Sequence, residues 1–158
     1  MITEVMNMML TQKETGFLND LKSQEQLCVD KYARYEQQAH DPQLKALFAS
    51  IRQKESAHLQ TIQQMLQGVT PQPSANQPKP QPANEPAYGA APSEQKNQDA
   101  YLCQDALSME KHVSGVYDTA IFEFADPAAR SALNAIQRDE QQHGQEIYAY
   151  MARNGMYA

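Results

Sequence analysis

The sequence predicts an all-α fold of four long helices, and three observations support this. The chain has 158 residues, of which 41% are hydrophobic, enough to bury one core of ordinary size. It contains only six glycines and no long alternation of polar and apolar residues, so no strands are expected. Seven of the nine prolines fall in residues 69–98, which separate two segments of helical pattern. We therefore expect one domain, residues 1–158, built from two helical hairpins.

Capping residues indicate where the four helices begin and end. Asp41-Pro42 and Asp126-Pro127 each place an N-cap aspartate before a proline at the first helical position, where the missing N–H costs nothing. Each pair should end one helix and begin the next after a tight turn. Thr11 begins a capping box at the start of the first helix. The predicted helices cover residues 11–39, 42–67, 98–125 and 127–153.

A long proline-rich crossover should join the two hairpins. The tight turns make residues 11–68 one antiparallel hairpin and residues 99–153 another. Residues 69–98 carry almost no aliphatic side chains, so they should form an extended linker.

The second hairpin repeats the first. When the first is shifted by 85 residues without a gap, ten positions coincide, where chance would give roughly three. The coincident positions are Ser23/Ser108, Glu25/Glu110, Tyr32/Tyr117, Asp41/Asp126, Pro42/Pro127, Ile51/Ile136, Glu55/Glu140, His58/His143, Gln60/Gln145 and Ile62/Ile147. The pattern indicates a duplicated helical hairpin.

Two Glu-x-x-His motifs occupy equivalent places in the repeat, Glu55 with His58 and Glu140 with His143. A spacing of three residues places carboxylate and imidazole on one helix face, one turn apart. A single copy is a weak signal because helix surfaces are rich in both residue types. Two copies at equivalent positions are a much stronger indication of a site.

Glu25 and Glu110 are predicted to lie at the same height as these motifs. Glu25 lies about 14 residues, or about 21 Å, before the first turn. Glu55 and His58 lie about 14 to 17 residues, or about 21–25 Å, beyond Asp41 on the returning helix. The same arithmetic applies to Glu110 in the second half, so six side chains should meet in the middle of the bundle.

This set matches the ligands of dimetal carboxylate bundles, in which two helices each supply a Glu and two supply a Glu-x-x-His. The predicted metal ligands are Glu25, Glu55, His58, Glu110, Glu140 and His143. Buried carboxylates repel each other and are costly to desolvate, and two divalent cations would balance their charge. Oxygen donors combined with imidazole nitrogen favour iron, with manganese or zinc as alternatives.

The alternative is that all six side chains form an ordinary charged face in solvent. The neighbouring residues favour the interior, because Ile51 and Ile62 share the stripe of Glu55 and His58.

Three further side chains fall near the predicted site. Tyr32 and Tyr117 lie seven residues after Glu25 and Glu110, on the same faces. They are either core aromatics or hydrogen-bond donors to the ligand carboxylates. Cys28 either approaches the site or, as its counterpart Val113 favours, fills a small apolar space.

The pattern formed by these six residues resembles the ferritin-like superfamily, and rubrerythrin-type halves in particular. The second half, residues 107–157, also resembles the spore coat protein F (Coat F) family of endospore-forming bacteria. The residues that carry this likeness are His143 and the tail IYAYMARNGMY, residues 147–157. The first resemblance implies a ferritin-like four-helix bundle, and the second implies a spore coat or mother-cell context.

Two functions remain open at this point. In the first, a di-iron oxidase or peroxidase turns over O2 or peroxide with electrons supplied from outside. In the second, the metal pair only stabilises a structural coat protein, and the linker and tyrosine-rich tail make contacts in a coat layer. The expected partners are a second copy in a homodimer or other coat proteins.

Composition argues against two classes of partner and also bears on the location of the protein. With 19 acidic and 13 basic residues the formal net charge is -6, which argues against nucleic acid and anionic membranes. No apolar run approaches the roughly 18–20 residues of a membrane span. Residues 1–10 lack a basic n-region and a cleavage site, so no signal peptide is expected. We therefore expect an intracellular protein, and the resemblance to the Coat F family implies the spore coat or the mother-cell cytoplasm.

Overall fold

The computed structural model describes residues 9–72 and 85–157. Those residues form four α-helices and no strand: α1 (Gln12–Gln38), α2 (Pro42–Leu66), α3 (Glu94–Phe122) and α4 (Pro127–Arg153). The prediction of an all-α four-helix bundle is confirmed. Two predictions fall partly outside the described residues. The absence of a signal peptide was predicted from residues 1–10, of which residues 1–8 are not described, and the predicted linker includes residues 73–84, which are not described either. Within the described residues, we find no helix with both the length and the hydropathy of a membrane-spanning segment.

The predicted capping residues begin three of the helices. Thr11 and Glu14 form the capping box of α1, with the Glu14 N–H donating to Thr11 Oγ1 at 3.1 Å and the Thr11 N–H donating to Glu14 Oε1 at 2.9 Å. Asp41 and Asp126 accept a backbone N–H in the first turns of α2 and α4, each followed by proline. The tight turns between α1 and α2 and between α3 and α4 follow from these caps.

The start of α3 differs from the prediction. It begins at Glu94, four residues before the predicted start at residue 98. The physical reason is Ser93, whose Oγ accepts the Lys96 N–H at 3.1 Å and caps the helix directly after the last proline of the linker. The predicted linker is therefore helical over residues 94–98.

The end of α3 also comes earlier than the predicted residue 125. The helix ends at Phe122, because the Glu123 N–H turns back to the carbonyls of Ala120 and Ile121 in a tighter final turn. Three residues then lead to the Asp126 cap of α4.

The bundle is arranged so that each helix packs against two others. α1 contacts α2 and α3, and α4 contacts α3 and α2. The turn between α1 and α2 lies beside the start of α3, where Asp99 accepts the N–H groups of His40 and Asp41 at 2.8 and 3.0 Å. Tyr150, near the end of α4, donates to Asp41 Oδ2 at 2.6 Å at the same end. Neighbouring helices therefore run antiparallel, and the chain crosses the length of the bundle between α2 and α3.

The stripes that carry the Glu-x-x-His motifs face the core. Ile51 and Ile62 are buried on α2, and Ile136 and Ile147 are buried at the equivalent positions of α4. Because these residues repeat at helical spacing with the motifs between them, the motifs are held inside the bundle.

Candidate metal centre

The six predicted ligand side chains lie together in the middle of the bundle. Glu25 comes from α1 and Glu110 from α3, while α2 and α4 each supply one Glu-x-x-His pair. The exposed fraction of each of these residues is at most 4%. A solvated charged face is therefore excluded for these residues, and the structure brings all six to one place.

The six residues divide into two groups that could each hold one metal ion. Glu25, Glu55, His58 and Glu140 offer four ligand atoms within 4.8 Å of one another. A second group also offers four ligand atoms within 4.8 Å of one another, and it consists of Glu55, Glu110, Glu140 and His143. Glu55 and Glu140 belong to both groups. The repeat operation of the sequence converts one group into the other, so the site has a pseudo-two-fold symmetry.

Both histidines turn Nδ1 towards the shared carboxylates. His58 Nδ1 lies 3.0 Å from Glu140 Oε1, and His143 Nδ1 lies 2.9 Å from Glu55 Oε1. The two imidazole rings are stacked with their centroids 6.0 Å apart. Each histidine therefore approaches the shared glutamate of the other half as well as its own.

Tyr32 and Tyr117 fix the two unshared carboxylates. Tyr32 Oη donates to Glu110 Oε1 at 2.5 Å, and Tyr117 Oη donates to Glu25 Oε1 at 2.6 Å. Both tyrosines are fully buried. Of the two roles considered for them, the structure shows donation to the site carboxylates, and each donation crosses from one half of the repeat to the other.

The donor atoms of the site fit a pair of divalent cations. Five carboxylate oxygens and His143 Nδ1 are buried without a hydrogen-bond partner among the described residues. Unpartnered buried acceptors cost roughly 1–3 kcal/mol each, so a protein rarely gathers them without a ligand. Four carboxylates and two imidazoles also match the charge and the donor preference of iron or manganese.

Burial and mutual repulsion alter the acidity of the glutamates. Burial, with the neighbouring Glu55 carboxylate, raises the pKa of Glu25 well above its usual range. Burial also raises the pKa of Glu140, and the Glu110 carboxylate adds to the effect. Burial alone would raise the pKa of Glu55, but the nearby imidazoles of His143 and His58 outweigh it and hold that pKa well below its usual range.

The carboxylates raise the pKa values of both histidines. Burial alone would lower the pKa of His58, but its hydrogen bond with Asp139 and the nearby Glu55 carboxylate raise it to about 10. The pKa of His143 is raised for the same reason, with Glu110 and Glu140 outweighing burial. Positive charge is therefore favoured at this place in the bundle, as a bound cation requires.

Asp139 is a site residue that the sequence analysis missed. Its Oδ2 lies 2.9 Å from His58 Nε2, on the side of the ring away from the cluster. The counterpart of Asp139 in the repeat is Lys54, so the matched positions did not reveal it. An acidic residue directly before Glu140 was the only available signal in the sequence.

Two cavities open towards the site between α2 and α4. A cavity of about 200 Å³ reaches His58 and is lined by Thr61, Pro71 and Arg138 among others. A second cavity of about 70 Å³ reaches His143. Lys54 and Asp139 border both cavities. Cavities on this face of the bundle therefore reach two of the six predicted ligands, His58 and His143.

Cys28 is buried one turn after Glu25. Burial, and next the carboxylate of Glu55, raises the pKa of the Cys28 thiol far above its usual value. The thiol therefore remains protonated, and Cys28 belongs to neither group of metal-ligand atoms among the described residues. A small apolar role fits these observations.

Fold and site together define a ferritin-like four-helix bundle with a buried cluster of carboxylates and histidines. Comparisons with known proteins agree with this class. Residues 98–158, which include most of the second hairpin, match the Coat F domain family. No curated protein sequence matches the chain.

Two solved structures share the fold. One is a two-domain protein from Anabaena variabilis with DJ-1/ThiJ/PfpI-like and ferritin-like domains, which is 17% identical with a TM-score of 0.66. The alignment covers 92% of this chain but only 38% of that protein. The other is a dodecameric, bacterioferritin-related thioferritin from Bacteroides fragilis, 15% identical with a TM-score of 0.52, over 89% of this chain and 85% of that one. At these identities the likeness establishes the fold.

Proposed function

We propose that this chain binds two divalent metal ions at the six-residue cluster, iron in the first place, with manganese or zinc as alternatives. The observation that carries the proposal is the pair of buried four-residue groups that share Glu55 and Glu140. The ferritin-like fold supports it, because that architecture places such ligand sets inside the bundle. The similarity to a thioferritin also supports it.

Each residue has a distinct role in this proposal. Glu55 and Glu140 are positioned to bridge the two ions. Glu25 with His58, and Glu110 with His143, complete the two ligand groups. Tyr32 and Tyr117 hold the carboxylates of Glu110 and Glu25 in place, which reduces the freedom lost on binding.

The proposed activity is that of a di-iron oxidase or peroxidase. A bound iron pair would supply oxidation chemistry towards O2 or peroxide, with electrons from an external donor. The chain contributes a buried, water-poor environment and a face between α2 and α4 where small molecules approach His58 and His143. The raised pKa values of Glu25 and Glu140 allow these carboxyls to hold protons beside the reacting centre when they are not metal-bound.

A structural role in a spore coat is the second candidate. The match of residues 98–158 to the Coat F domain supports a place in the spore coat or the mother-cell cytoplasm. The same half exposes Tyr101, Phe122, Tyr148 and Tyr157, and aromatic side chains suit contacts with a second copy or with other coat proteins. In this role the metal pair stabilises the bundle.

One experiment separates the two candidates. The metal bound per chain is measured, Fe(II) and air are then added to the metal-free protein, and the rates of iron oxidation and peroxide consumption are followed. Asp20→Asn, which changes an exposed carboxylate, is the control. Two ions per chain with turnover supports the oxidase or peroxidase. Two ions without turnover, together with a large fall in Tm on chelation, supports the structural role. A chain that takes up no metal contradicts both.

A further inference from the structure

The surroundings of the two histidines break the symmetry of the site. The six ligands repeat at matched positions, but the position one residue before the repeated glutamate holds Lys54 in the first half and Asp139 in the second. Both residues border the cavities between α2 and α4. A basic and an acidic side chain therefore occupy equivalent places beside two otherwise equivalent metal positions.

Asp139 forms a hydrogen bond with His58, the histidine of the other half. Its Oδ2 accepts a hydrogen bond from His58 Nε2 at 2.9 Å, while Arg138 lies 3.6 Å from the second oxygen. The Asp139 side chain is only 12% exposed, so solvent weakens the contact little. A carboxylate on Nε2 keeps the proton there and leaves the Nδ1 lone pair directed at the cluster.

His143 has no equivalent support. Among the described residues, its contacts with the carboxylates of Glu55, Glu110 and Glu140 are all made through Nδ1, and its Nε2 has no hydrogen-bond partner there. The cavity beside it is lined by Lys54, Gln142 and Glu146, and Gln142 donates to the Glu146 carboxylate at 3.5 Å. A lysine is a hydrogen-bond donor only, so it cannot hold the proton on Nε2 as a carboxylate does. The Nδ1 lone pair of His143 is therefore less well prepared for a metal ion.

We propose that the two metal positions are unequal, and that the one formed by Glu25 and His58 fills first and holds its ion more tightly. Asp139 is the positioning residue that causes the difference, acting through His58. This inference rests on the proposed dimetal function. Removal of such outer partners typically lowers metal affinity about 10- to 100-fold, which sets the expected size of the difference.

The order of filling is measured directly by anomalous diffraction. Crystals of the metal-free protein are grown with one equivalent of Zn(II) per chain, and the occupancies of the two positions are compared. The expected result is a dominant peak beside Glu25 and His58. Equal peaks, or a dominant peak beside His143, would overturn the inference while leaving the dimetal proposal standing. No ion at either position after two equivalents would instead reject the proposed function.

Variants of Asp139 and Lys54 test the cause. In zinc titrations, Asp139→Ala should weaken the tighter step about 10- to 100-fold, and Asp139→Glu should restore most of it. The double variant K54D/D139K should move the first ion to the His143 position. Glu146→Gln is the control and should leave the order unchanged.

A purely structural role of Asp139 predicts a different pattern. In that case Asp139→Ala would lower the Tm of the metal-free protein but keep the order of filling, and K54D/D139K would not reverse it. An unchanged order of filling in Asp139→Ala, or in K54D/D139K, would therefore contradict the proposal.

Discussion

Two buried tyrosines, Tyr32 and Tyr117, donate hydrogen bonds to the two unshared carboxylates, Glu110 and Glu25. Burial, and next the nearby Glu carboxylates, raises the pKa of both Tyr32 and Tyr117. Each phenol therefore remains protonated and continues to donate. The repeat identified these tyrosines, but not their roles, because their partners lie in the opposite hairpin and depend on how the two hairpins pack.

Removing either phenol should destabilise the metal-free protein. Tyr32→Phe and Tyr117→Phe each leave a buried carboxylate oxygen without its donor, at a cost of roughly 1–3 kcal/mol. Urea unfolding of the metal-free protein measures this loss. The exposed Tyr148→Phe is the control, with an expected change within about 0.5 kcal/mol. An unchanged free energy of unfolding in both buried variants would show that these contacts contribute nothing.

The metal-free protein should lose stability as the pH rises from 6.5 to 9. The pKa of folded His58 is raised to about 10, so between its unfolded value and that value the folded state binds more protons. Stability is then fully present below the unfolded pKa and declines as the pH rises. The raised pKa values of Glu25 and Glu140 act in the same direction above the usual Glu value, whereas the lowered pKa of Glu55 acts only in acid.

Thermal unfolding at several pH values, with and without Mn(II), tests this dependence. The decline should disappear with metal, because binding replaces the protons by cations. A metal-free protein whose Tm rises steadily from pH 6.5 to 9 would contradict the proton-binding account.

At the scale of helices, local capping rules give the bounds well where a strong cap is present. Asp41 and Asp126, each with its proline, predicted the start of α2 and α4. The start of α3 was missed because Ser93 directly follows the proline-rich segment and no proline at the first helical position marks it as a cap. The height of the site ligands follows from helix rise alone, so the spacing of the six residues was predictable.

One long-range contact could not be predicted from such rules. Asp99 on α3 is fully buried and accepts hydrogen bonds from the backbone of His40 and Asp41 and from Tyr88 Oη, the last at 2.6 Å. It joins the start of α3 and the end of the crossover to the turn between α1 and α2. Nothing in the sequence near Asp99 indicates these partners, which the tertiary fold brings together.

Asp99→Ala should therefore be one of the most damaging substitutions outside the metal site. It leaves two backbone N–H groups and the half-buried Tyr88 phenol without their acceptor, and we expect a loss of roughly 2–4 kcal/mol in the free energy of unfolding. The exposed Asp20→Asn is the control for a lost carboxylate. Denaturant unfolding measures both, and equal stabilities of the two variants would contradict the role assigned to Asp99.

For the whole molecule, duplication explains both the site and its asymmetry. Two related hairpins place matched trios of ligands around a pseudo-two-fold axis, and this much is readable from the repeat. Differences between the halves, such as Lys54 in the first and Asp139 in the second, cannot be assigned a role by comparing matched positions. The role of Asp139 is seen only in the packing of α2 against α4, which brings its carboxylate to His58.

The most direct test of the central claim is the number of metal ions that each chain retains. The metal-free protein is dialysed against Mn(II), and the bound metal is counted by elemental analysis in the parent, in E55Q/E140Q and in Asp20→Asn. We predict two ions per chain in the parent and in Asp20→Asn, and none in E55Q/E140Q, because both shared carboxylates are lost. A parent chain that retains no metal, or a double variant that still retains two ions, would contradict the account.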